Sequence, residues 1–285
     1  MLDDQTILRQ RGAEATLATA GVASPRSDAQ VLAEHCCGVP ALQTGFSDLV
    51  PSESQQQCFD AALRRRAARE PLQHIVGSAP FGPLDLAVGP GVFVPRPETE
   101  VLADWAVRHL ASNPSPRPVV VDLCSGSGAL AAYIATQSDL QPTVYAVELS
   151  RDALEYTRRN TCDYGVEVVQ SDVCAPIQQL EHLVGSVDLI VANPPYVPVG
   201  SEVDVETGWD PASAVFSGED GMTVIRGMLP QVVRLLKPGG WVGIEHDDTT
   251  SELVCQACAD AGLVDTAALE DFTGRRRFVV ARKVA

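Results

Sequence analysis

The spacing of apolar and polar residues changes along this chain. Up to residue 70 the apolar residues recur every three or four positions, as in DAQVLAEHCCGV and QQQCFDAALRRRAAR. This spacing predicts a small helical domain over residues 1–70. Over residues 71–95 the apolar runs become short and are separated by glycine and proline. That pattern predicts a β-hairpin linker.

From residue 96 to residue 285 strand-like and helical runs alternate. Strands are predicted for VVVDLC, TVYAVEL, VEVVQ, VDLIVAN, WVGIEH and RRRFVVARK. Helices are predicted for ETEVLADWAVRHL, GALAAYIATQ, RDALEYTRRN, TVIRGMLPQVVRLL and SELVCQACADAG, and KPGG is predicted to be a turn. Such alternation is typical of an α/β fold, with a doubly wound, mostly parallel, Rossmann-like sheet covered by helices on both faces.

Charge and cysteine content narrow the possible partners. The net charge is -16, and because residues 1–80 hold 7 Arg and 9 acidic residues, most of the negative charge lies after them. Nucleic acids are usually met by clusters of Lys and Arg, so we expect no stable nucleic-acid binding. Without a long apolar run or an apolar leader, we expect no membrane span, a cytoplasmic location and eight reduced cysteines. Cys255 and Cys258 are interpreted as one face of a helix, and no metal is expected.

A glycine-rich turn follows the first strand of the predicted sheet. VVVDLC runs into Ser125, Gly126, Ser127, Gly128 and Ala129, and a helix begins there. Ligands of parallel α/β sheets bind at this end of the strands. Gly126 and Gly128 permit positive φ angles and let a ligand approach the backbone closely. Nicotinamide and flavin enzymes have such turns too, and a plain tight turn also fits the pattern.

Acidic residues follow the next two predicted strands. Glu148 ends TVYAVE, 20 residues beyond Gly128, where a carboxylate can accept hydrogen bonds from both ribose hydroxyls. Asp172 closes the third strand, and Val173 beside it is predicted to line an adenine pocket. These positions predict a cofactor that contains adenosine. A nicotinamide dinucleotide is one alternative that fits them.

The fourth predicted strand ends in Asn193, Pro194, Pro195 and Tyr196. Two prolines fix φ and supply no N–H, so this corner presents acceptors. Asn193 Oδ1 and the Pro194 carbonyl can accept both hydrogens of an NH₂ group, and the Tyr196 ring offers a flat face to a planar substrate. Since a conjugated nitrogen is a poor nucleophile, the site must aim it at an activated donor and exclude water. The motif therefore predicts methyl transfer to a planar nitrogen.

The sequence resembles the peptide chain release factor glutamine methyltransferases, the HemK/PrmC family, over nearly its whole length. The resemblance rests on PLQHIVGSAPFGPLDLAVGPGVFVPRPETE, DLCSGSGALA, AVELS, QSDV, NPPYVP, DPASAVFSGEDGMTVI, LKPGGWVGIEH and GRRRFVVARK, in that order. It implies S-adenosylmethionine as donor and S-adenosylhomocysteine as product. The implied acceptor is the side-chain amide nitrogen of the glutamine in the Gly-Gly-Gln tripeptide of bacterial class I release factors.

The resemblance also implies roles for residues. Ser125 to Ala129, Glu148, Val173 and Asn193 would contact the cofactor, and Asn193 to Tyr196 would form the catalytic corner that holds the glutamine. Cys124-Ser125 stands where Gly-Thr or Cys-Thr is usual, and Glu148 where aspartate is commoner, although both retain the needed chemistry. His246-Asp247 stands where His-Gly is frequent, so Glu245-His246 is interpreted as a structural strand end.

Two further segments carry expectations from their positions. Residues 93–100, FVPRPETE, are expected to flank the cofactor cleft and to shape substrate entry. The N-terminal domain is expected to dock the substrate, and its basic cluster is interpreted as a solvated helix face rather than a docking patch. That cluster consists of Arg64, Arg65, Arg66 and Arg69.

Three other functions stay open from the residues. Ribosomal-protein glutamine methyltransferases share the NPPY motif and would act on the same chemical group. A DNA or RNA amino-methyltransferase would present a flipped adenine amine to the same acceptors. A regulatory module that only binds adenosine would not need the stiff acceptor corner.

Overall fold

The computed structural model describes residues 4–38, 51–113 and 115–285, which form two compact units. The first unit contains the chain up to Ser78 together with Asp204–Trp209, and the second contains Ala79–Val203 and Asp210–Ala285. The predicted linker over residues 71–95 is thus shared between the units. Residues 1–3 and 39–50 of the predicted helical domain lie outside the described residues.

The described part of the first unit is helical. Its helices are α1 (Asp4–Thr19), α2 (Pro25–Cys37), α3 (Glu53–Ala67) and α4 (Leu72–Val76). Helix α3 begins at a capping box, in which the Ser52 hydroxyl accepts from the Gln55 N–H and the Gln55 side chain accepts from the Ser52 N–H. These reciprocal bonds satisfy two backbone donors that a helix start would otherwise leave free.

Arg66 and Arg69 are paired with carboxylates of the first unit. Arg66 is buried, and its guanidinium donates to Asp28 Oδ2 at 2.7 Å and to Glu206 Oε1 at 2.8 Å. Arg69 donates to the same Glu206 oxygen at 3.0 Å. The interpretation of a solvated helix face is therefore wrong for Arg66, because its partners lie 38 and 140 residues away and no local pattern reveals them.

Replacing Arg66 with alanine is expected to lower the free energy of unfolding of the first unit by about 3–5 kcal/mol. The reason is that the change leaves the Asp28 carboxylate without its cation and leaves Glu206 with Arg69 alone. Urea unfolding followed by circular dichroism measures the loss. Arg64→Ala, at an exposed position of the same helix, is the matched control and is expected to cost about 0.5 kcal/mol or less. An equal effect of the two variants would contradict the pairing.

The second unit is built on a seven-stranded sheet. The hairpin that precedes it consists of β1 (Ser78–Phe81) and β2 (Leu84–Ala87). The sheet strands are β3 (Val119–Leu123), β4 (Thr143–Glu148), β5 (Glu167–Gln170), β6 (Val187–Ala192), β7 (Leu236–Glu245), β8 (Leu263–Glu270) and β9 (Arg276–Lys283). Their order is β5-β4-β3-β6-β7-β9-β8, parallel from β5 to β7, with β9 antiparallel to both of its neighbours. The predicted doubly wound, mostly parallel sheet is confirmed.

Helices cover both faces of this sheet. The described helices of the second unit are α5 (Thr99–Ser112), α6 (Ala129–Gln137), α7 (Arg151–Thr161), α8 (Ala212–Val215), α9 (Thr223–Leu235) and α10 (Ser251–Asp260). Successive residues of β3 point to opposite faces, so Val120 packs in the cluster that contains α5 and α6, and Val121 packs in the cluster that contains α9 and α10. This alternation places two apolar layers around one sheet. Among the described helices, none has the length and apolar character needed to cross a bilayer.

The structure departs from the sequence predictions in two strands. The predicted KPGG turn lies inside β7, where the pairing with β6 jumps from Leu236 to Trp241, so the turn forms an irregularity within the strand. Strand β8 was not predicted. Its residues have no clean apolar alternation, Asp265 has φ +55°, and its pairing with β9 shifts twice.

The cysteines do not all match the expectation of reduced thiols. Cys36 of α2 and Cys58 of α3 form a disulfide, because the packing of these two helices brings their side chains together across 22 residues of sequence. The other six cysteines are free. Cys255 and Cys258 lie in α10, where Cys258 is buried in the apolar core, consistent with the predicted helix face.

Candidate active site

The residues predicted from sequence to form the site follow strands that end at one edge of the sheet. Strand β3 lies between β4 and β6, and Leu123 is paired with Val147 on one side and with Ala192 on the other. Because the three strands are parallel, their carboxyl ends reach the same edge, and neighbouring strands are only about 4.8 Å apart. The glycine turn after β3, Glu148 at the end of β4 and Asn193 after β6 are therefore neighbours.

The glycine turn uses the backbone freedom predicted for it. Gly126 has φ +54° and Gly128 has φ +82°. A Cβ atom at Gly128 would lie 3.1 Å from the methyl groups of Thr157 and Thr161. Cys124 adopts a left-handed conformation as well, with φ +62°, and such strain at a residue with a Cβ is concentrated at functional sites. A cysteine is not a residue type that predicts a left-handed conformation, so the sequence carries no signal for this feature.

Side chains from α7 hold the turn from outside. Thr157 Oγ1 donates to the Gly126 carbonyl at 2.7 Å, and Asn160 Nδ2 donates to the Ser127 carbonyl at 2.9 Å. Helix α7 buries a narrow face made of Ala153, Leu154, Thr157 and Thr161, and Thr157 is fully buried. The turn is thus fixed in position before any ligand binds, which reduces the entropy cost of binding.

Two buried oxygens at this turn suit a polar ligand. Asp122 Oδ1 and Ser125 Oγ have no hydrogen-bond partner among the described residues. Asp122 Oδ2 accepts from the Ala131 N–H at 3.1 Å, and burial raises the pKa of this carboxyl well above its usual range. Since buried polar atoms are normally paired, these two are the groups that a cofactor bound here can satisfy.

Glu148 is anchored beside the turn by backbone donors. Its Oε2 accepts from the Gly126 N–H at 2.8 Å, and its Oε1 accepts from the N–H groups of Leu149 and Ser150 at 2.9 and 2.8 Å. A carboxylate offers about four acceptor positions, so one remains. Glu148 is predicted to accept hydrogen bonds from both ribose hydroxyls. To do so, it must give up at least one of its three bonds to backbone N–H groups.

Asp172 and Val173 follow the neighbouring strand end. Ser171 N donates to the Glu148 carbonyl at 3.1 Å, which brings the end of β5 against the end of β4. Asp172 is exposed, and its Oδ1 accepts from the Cys174 N–H at 2.8 Å. Val173 is 6% exposed and belongs to the apolar core. Contact of these two residues with a cofactor stays a prediction.

Two residues outside the motif hold the Asn-Pro-Pro-Tyr corner, namely Thr99, from the segment expected to flank the cofactor cleft, and Glu245. Asn193 Nδ2 donates to Thr99 Oγ1 at 3.2 Å. Thr99 Oγ1 donates to Glu245 Oε2 at 2.8 Å, and Tyr196 OH donates to Glu245 Oε1 at 3.3 Å. Pro194 is buried and Pro195 is partly exposed. Glu245, interpreted from sequence as a structural strand end, thus contacts the predicted catalytic corner.

The Glu245 carboxyl lies in an environment that disfavours charge. It is 2% exposed, and burial raises its pKa to about 7, although hydrogen bonds from Thr99 and Tyr196 partly offset this effect. Burial and the nearby Glu245 carboxylate also raise the pKa of Tyr196. The tyrosine is therefore a neutral donor at physiological pH, and Glu245 changes its protonation state there.

The segment at residues 93–100 is held by other residues of the second unit near the same corner. Arg96 donates to Asp210 Oδ2 at 2.6 Å, and the Val94 N–H donates to Asp210 Oδ1 at 3.2 Å. The Arg96 guanidinium also stacks 5.0 Å from the centre of the Phe93 ring. Through Thr99 the segment reaches Asn193, so it lies beside the predicted catalytic corner.

Two family models match this chain, one in its N-terminal part and one in the part that follows. Residues 10–77 match the family model described as the PrmC N-terminal domain, and residues 85–210 match the methyltransferase small domain. A solved methyltransferase from Pyrococcus furiosus shares the fold, with a TM-score of 0.51 and 21% identity, over 78% of this chain and 99% of that one.

Curated relatives align over nearly the full length. The release factor glutamine methyltransferase of Corynebacterium glutamicum is 52% identical, with 96% of this chain and 97% of the relative covered. The enzymes of the same name from Mycolicibacterium smegmatis and Deinococcus radiodurans are 50% and 36% identical, with 96% and 95% of this chain and 96% of each relative covered. This chain belongs to the family of release factor glutamine methyltransferases.

Proposed function

We propose that this protein methylates the side-chain amide nitrogen of the glutamine in the Gly-Gly-Gln tripeptide of class I release factors, with S-adenosylmethionine as donor. The observation that carries the proposal is the shared sheet edge, where Leu123 pairs with Val147 and Ala192 and brings the glycine turn, Glu148 and Asn193 together. The family to which the chain belongs supports the same substrate. Docking of the factor by the first unit is part of the proposal.

Each part of the site has a task in this reaction. When bound, S-adenosylmethionine would supply an activated methyl group: the S–CH₃ bond breaks as the N–CH₃ bond forms, S-adenosylhomocysteine is left, and the nitrogen releases one of its two hydrogens as a proton. The glycine turn allows close approach to the backbone, and Glu148 orients the ribose. Asn193 Oδ1 and the Pro194 carbonyl accept the two amide hydrogens, which aims the nitrogen and stabilises the positive charge that develops on it. The Tyr196 ring packs against the flat amide.

Labelled S-adenosylmethionine tests the proposal directly. The protein is incubated with a release factor, with the same factor whose tripeptide glutamine is changed to alanine, with a ribosomal-protein extract and with oligonucleotides. Label is expected in the unaltered factor and in no other sample. Label in a ribosomal protein or an oligonucleotide, with none in the factor, would replace the proposed substrate by that one.

Glu148→Ala is expected to weaken binding of S-adenosylhomocysteine about thirtyfold, because charge-assisted hydrogen bonds contribute about 1.5–3 kcal/mol. Loss of the carboxylate also frees the Gly126 N–H that it holds. Isothermal titration calorimetry measures the dissociation constant. Glu155→Ala removes the same charge from an exposed position of α7 and is expected to bind as the unaltered protein does. A Glu148→Ala variant with unchanged affinity would exclude the ribose role.

A further inference from the structure

A buried chain of hydrogen bonds runs behind the Asn-Pro-Pro-Tyr corner. It starts at Glu245 at the end of β7, passes through Thr99 at the start of α5 and ends on the amide of Asn193, with steps of 2.8 and 3.2 Å. Glu245 is 2% exposed and Thr99 is 3% exposed. Three separate elements of the second unit thus meet at one hydroxyl.

The protonation state of Glu245 fixes the direction of this chain. An ionised carboxylate can only accept hydrogen bonds, so Thr99 must donate its single hydroxyl hydrogen to Glu245 Oε2. The Thr99 oxygen is then left as an acceptor, and it takes the Nδ2 hydrogen of Asn193. With its NH₂ group turned toward Thr99, Asn193 presents Oδ1 on the opposite edge of the amide.

We propose that Glu245 and Thr99 are positioning residues, which hold the Asn193 amide with its oxygen toward the substrate nitrogen. This inference rests on the proposed function, in which Asn193 Oδ1 accepts a hydrogen from the glutamine amide. If the Asn193 amide were flipped, its NH₂ group would face the substrate NH₂ group, and two donors would oppose each other. The correct orientation is thus worth one hydrogen bond gained and one repulsion avoided.

The same carboxylate holds a second residue of the corner. Glu245 Oε1 accepts from Tyr196 OH at 3.3 Å, while the Tyr196 ring packs against the apolar core. Glu245 therefore contacts Tyr196 at one end of the four-residue motif directly and Asn193 at the other end through Thr99. A residue with a purely structural task at a strand end would not need one oxygen on Tyr196 and the other on the threonine that holds Asn193.

The surroundings of Glu245 make the chain sensitive to pH. Its carboxyl has a pKa raised to about 7, chiefly by burial, and Glu98 raises it further while Arg277 lowers it. The titratable and charged groups around this carboxyl are Glu98, Tyr196, His246, Asp247 and Arg277. Burial lowers the pKa of His246, so this neighbour is neutral near pH 7. Glu245 is the group that titrates there.

Protonation reverses the hydrogen bonds. A protonated Glu245 can donate to Thr99, which then donates to Asn193 and turns the amide the wrong way round. Since the pKa of Glu245 lies at about 7, turnover is expected to rise about tenfold from pH 6 to pH 8 as the ionised form becomes populated. The folded protein binds this proton more tightly than the unfolded chain, so the active, ionised form is the less stable one.

Thr99→Val and Thr99→Ser distinguish a positioning role of the Thr99 hydroxyl from a packing role of the side chain. Thr99→Val keeps the shape and removes the hydroxyl, and it is expected to lower kcat about thirtyfold, with little change in KM or in S-adenosylhomocysteine affinity. Thr99→Ser restores the hydroxyl and is expected to recover at least about a third of kcat. Thr136→Val is the matched control, because the partners of its hydroxyl, the Ala132 and Tyr133 carbonyls and Gln137 Nε2, all belong to its own helix outside the site. A folded Thr99→Val variant with kcat within threefold of the unaltered protein overturns the proposal.

Glu245→Gln provides a test that does not depend on the stability of Thr99→Val. Glutamine can accept from Thr99 through its oxygen but cannot ionise, so kcat is expected to be flat from pH 6 to pH 8. If the variant retains the tenfold rise of the unaltered protein, Glu245 does not control the orientation and the proposal fails. Glu270→Gln, at an exposed position of β8, is the control that must retain the rise.

One comparison separates failure of this inference from failure of the proposed function. If the unaltered protein does not label the release factor, the function itself is wrong. If it labels the factor, and Asn193→Ala abolishes labelling while Thr99→Val does not change it, the function stands and the positioning role is excluded.

Discussion

Replacing Asn193 with alanine is expected to lower turnover about a thousandfold while S-adenosylhomocysteine binding changes less than about tenfold. Removing one preorganised group that faces developing charge costs about a hundredfold to a thousandfold in kcat. Here the loss also removes the acceptor that aims the nitrogen, because the Asn193 NH₂ group is already committed to Thr99 and its oxygen is the free edge. Transfer of labelled methyl groups under saturating conditions measures turnover.

Two further variants make the expectation specific to the acceptor oxygen. Asn193→Asp keeps an oxygen acceptor but cannot donate to Thr99, so its turnover is expected to fall between those of the alanine variant and the unaltered protein. Asn113→Ala removes the same side chain from an exposed helix end, where it bonds to the His109 carbonyl, and is expected to have no effect. Turnover above a tenth of the normal value in Asn193→Ala rules out the acceptor role.

Local patterns in the sequence were sufficient to predict the strand ends and the turn that the structure brings together in the candidate site. The strands that end in the glycine turn, in Glu148 and in Asn193 have continuous apolar runs, as expected for strands buried on both faces of a parallel sheet. Positive φ at Gly126 and Gly128 followed from the need for a tight turn, and the structure confirms it. In each case the information lies within about ten neighbouring residues.

The residues behind the site could not be found in this way. Thr99 and Glu245 are 146 residues apart, and no spacing rule connects a threonine at a helix start with a glutamate at a strand end. Arg66 reads as part of a basic helix face because its partners, Asp28 and Glu206, come from distant segments. Contacts of this kind depend on packing of the whole unit, which periodicity does not encode.

One signal in the sequence does indicate that Glu245 lies near the site. Glu245 ends an apolar strand, WVGIE, and a carboxylate at the carboxyl end of a sheet strand lies where ligands bind in such folds. The same reasoning identified Glu148 and Asp172. Applied to Glu245, it would have placed this residue near the site, although not the intervening role of Thr99.

Gly221→Ala is expected to lower turnover about a hundredfold by displacing the catalytic corner. A Cβ atom at Gly221 would lie 2.2 Å from the Tyr196 carbonyl oxygen, a backbone atom that cannot rotate away. Either the corner shifts or the loop before α9 does, and a shift of about 1 Å in a catalytic group can cost about a hundredfold. Methyl transfer and S-adenosylhomocysteine affinity are measured together, and the affinity is expected to fall much less than turnover.

Gly165→Ala separates this collision from ordinary backbone strain. Gly221 has φ +75° and Gly165 has φ +68°, so alanine at either position carries the same left-handed penalty of about 1–2 kcal/mol. A Cβ at Gly165 meets no atom of the described structure within 4 Å, and this turn precedes β5 at the sheet edge opposite to the site. Gly165→Ala is therefore expected to lower thermal stability but to keep turnover within about threefold. Equal loss of turnover in both variants would mean that strain alone, and not contact with Tyr196, explains the effect.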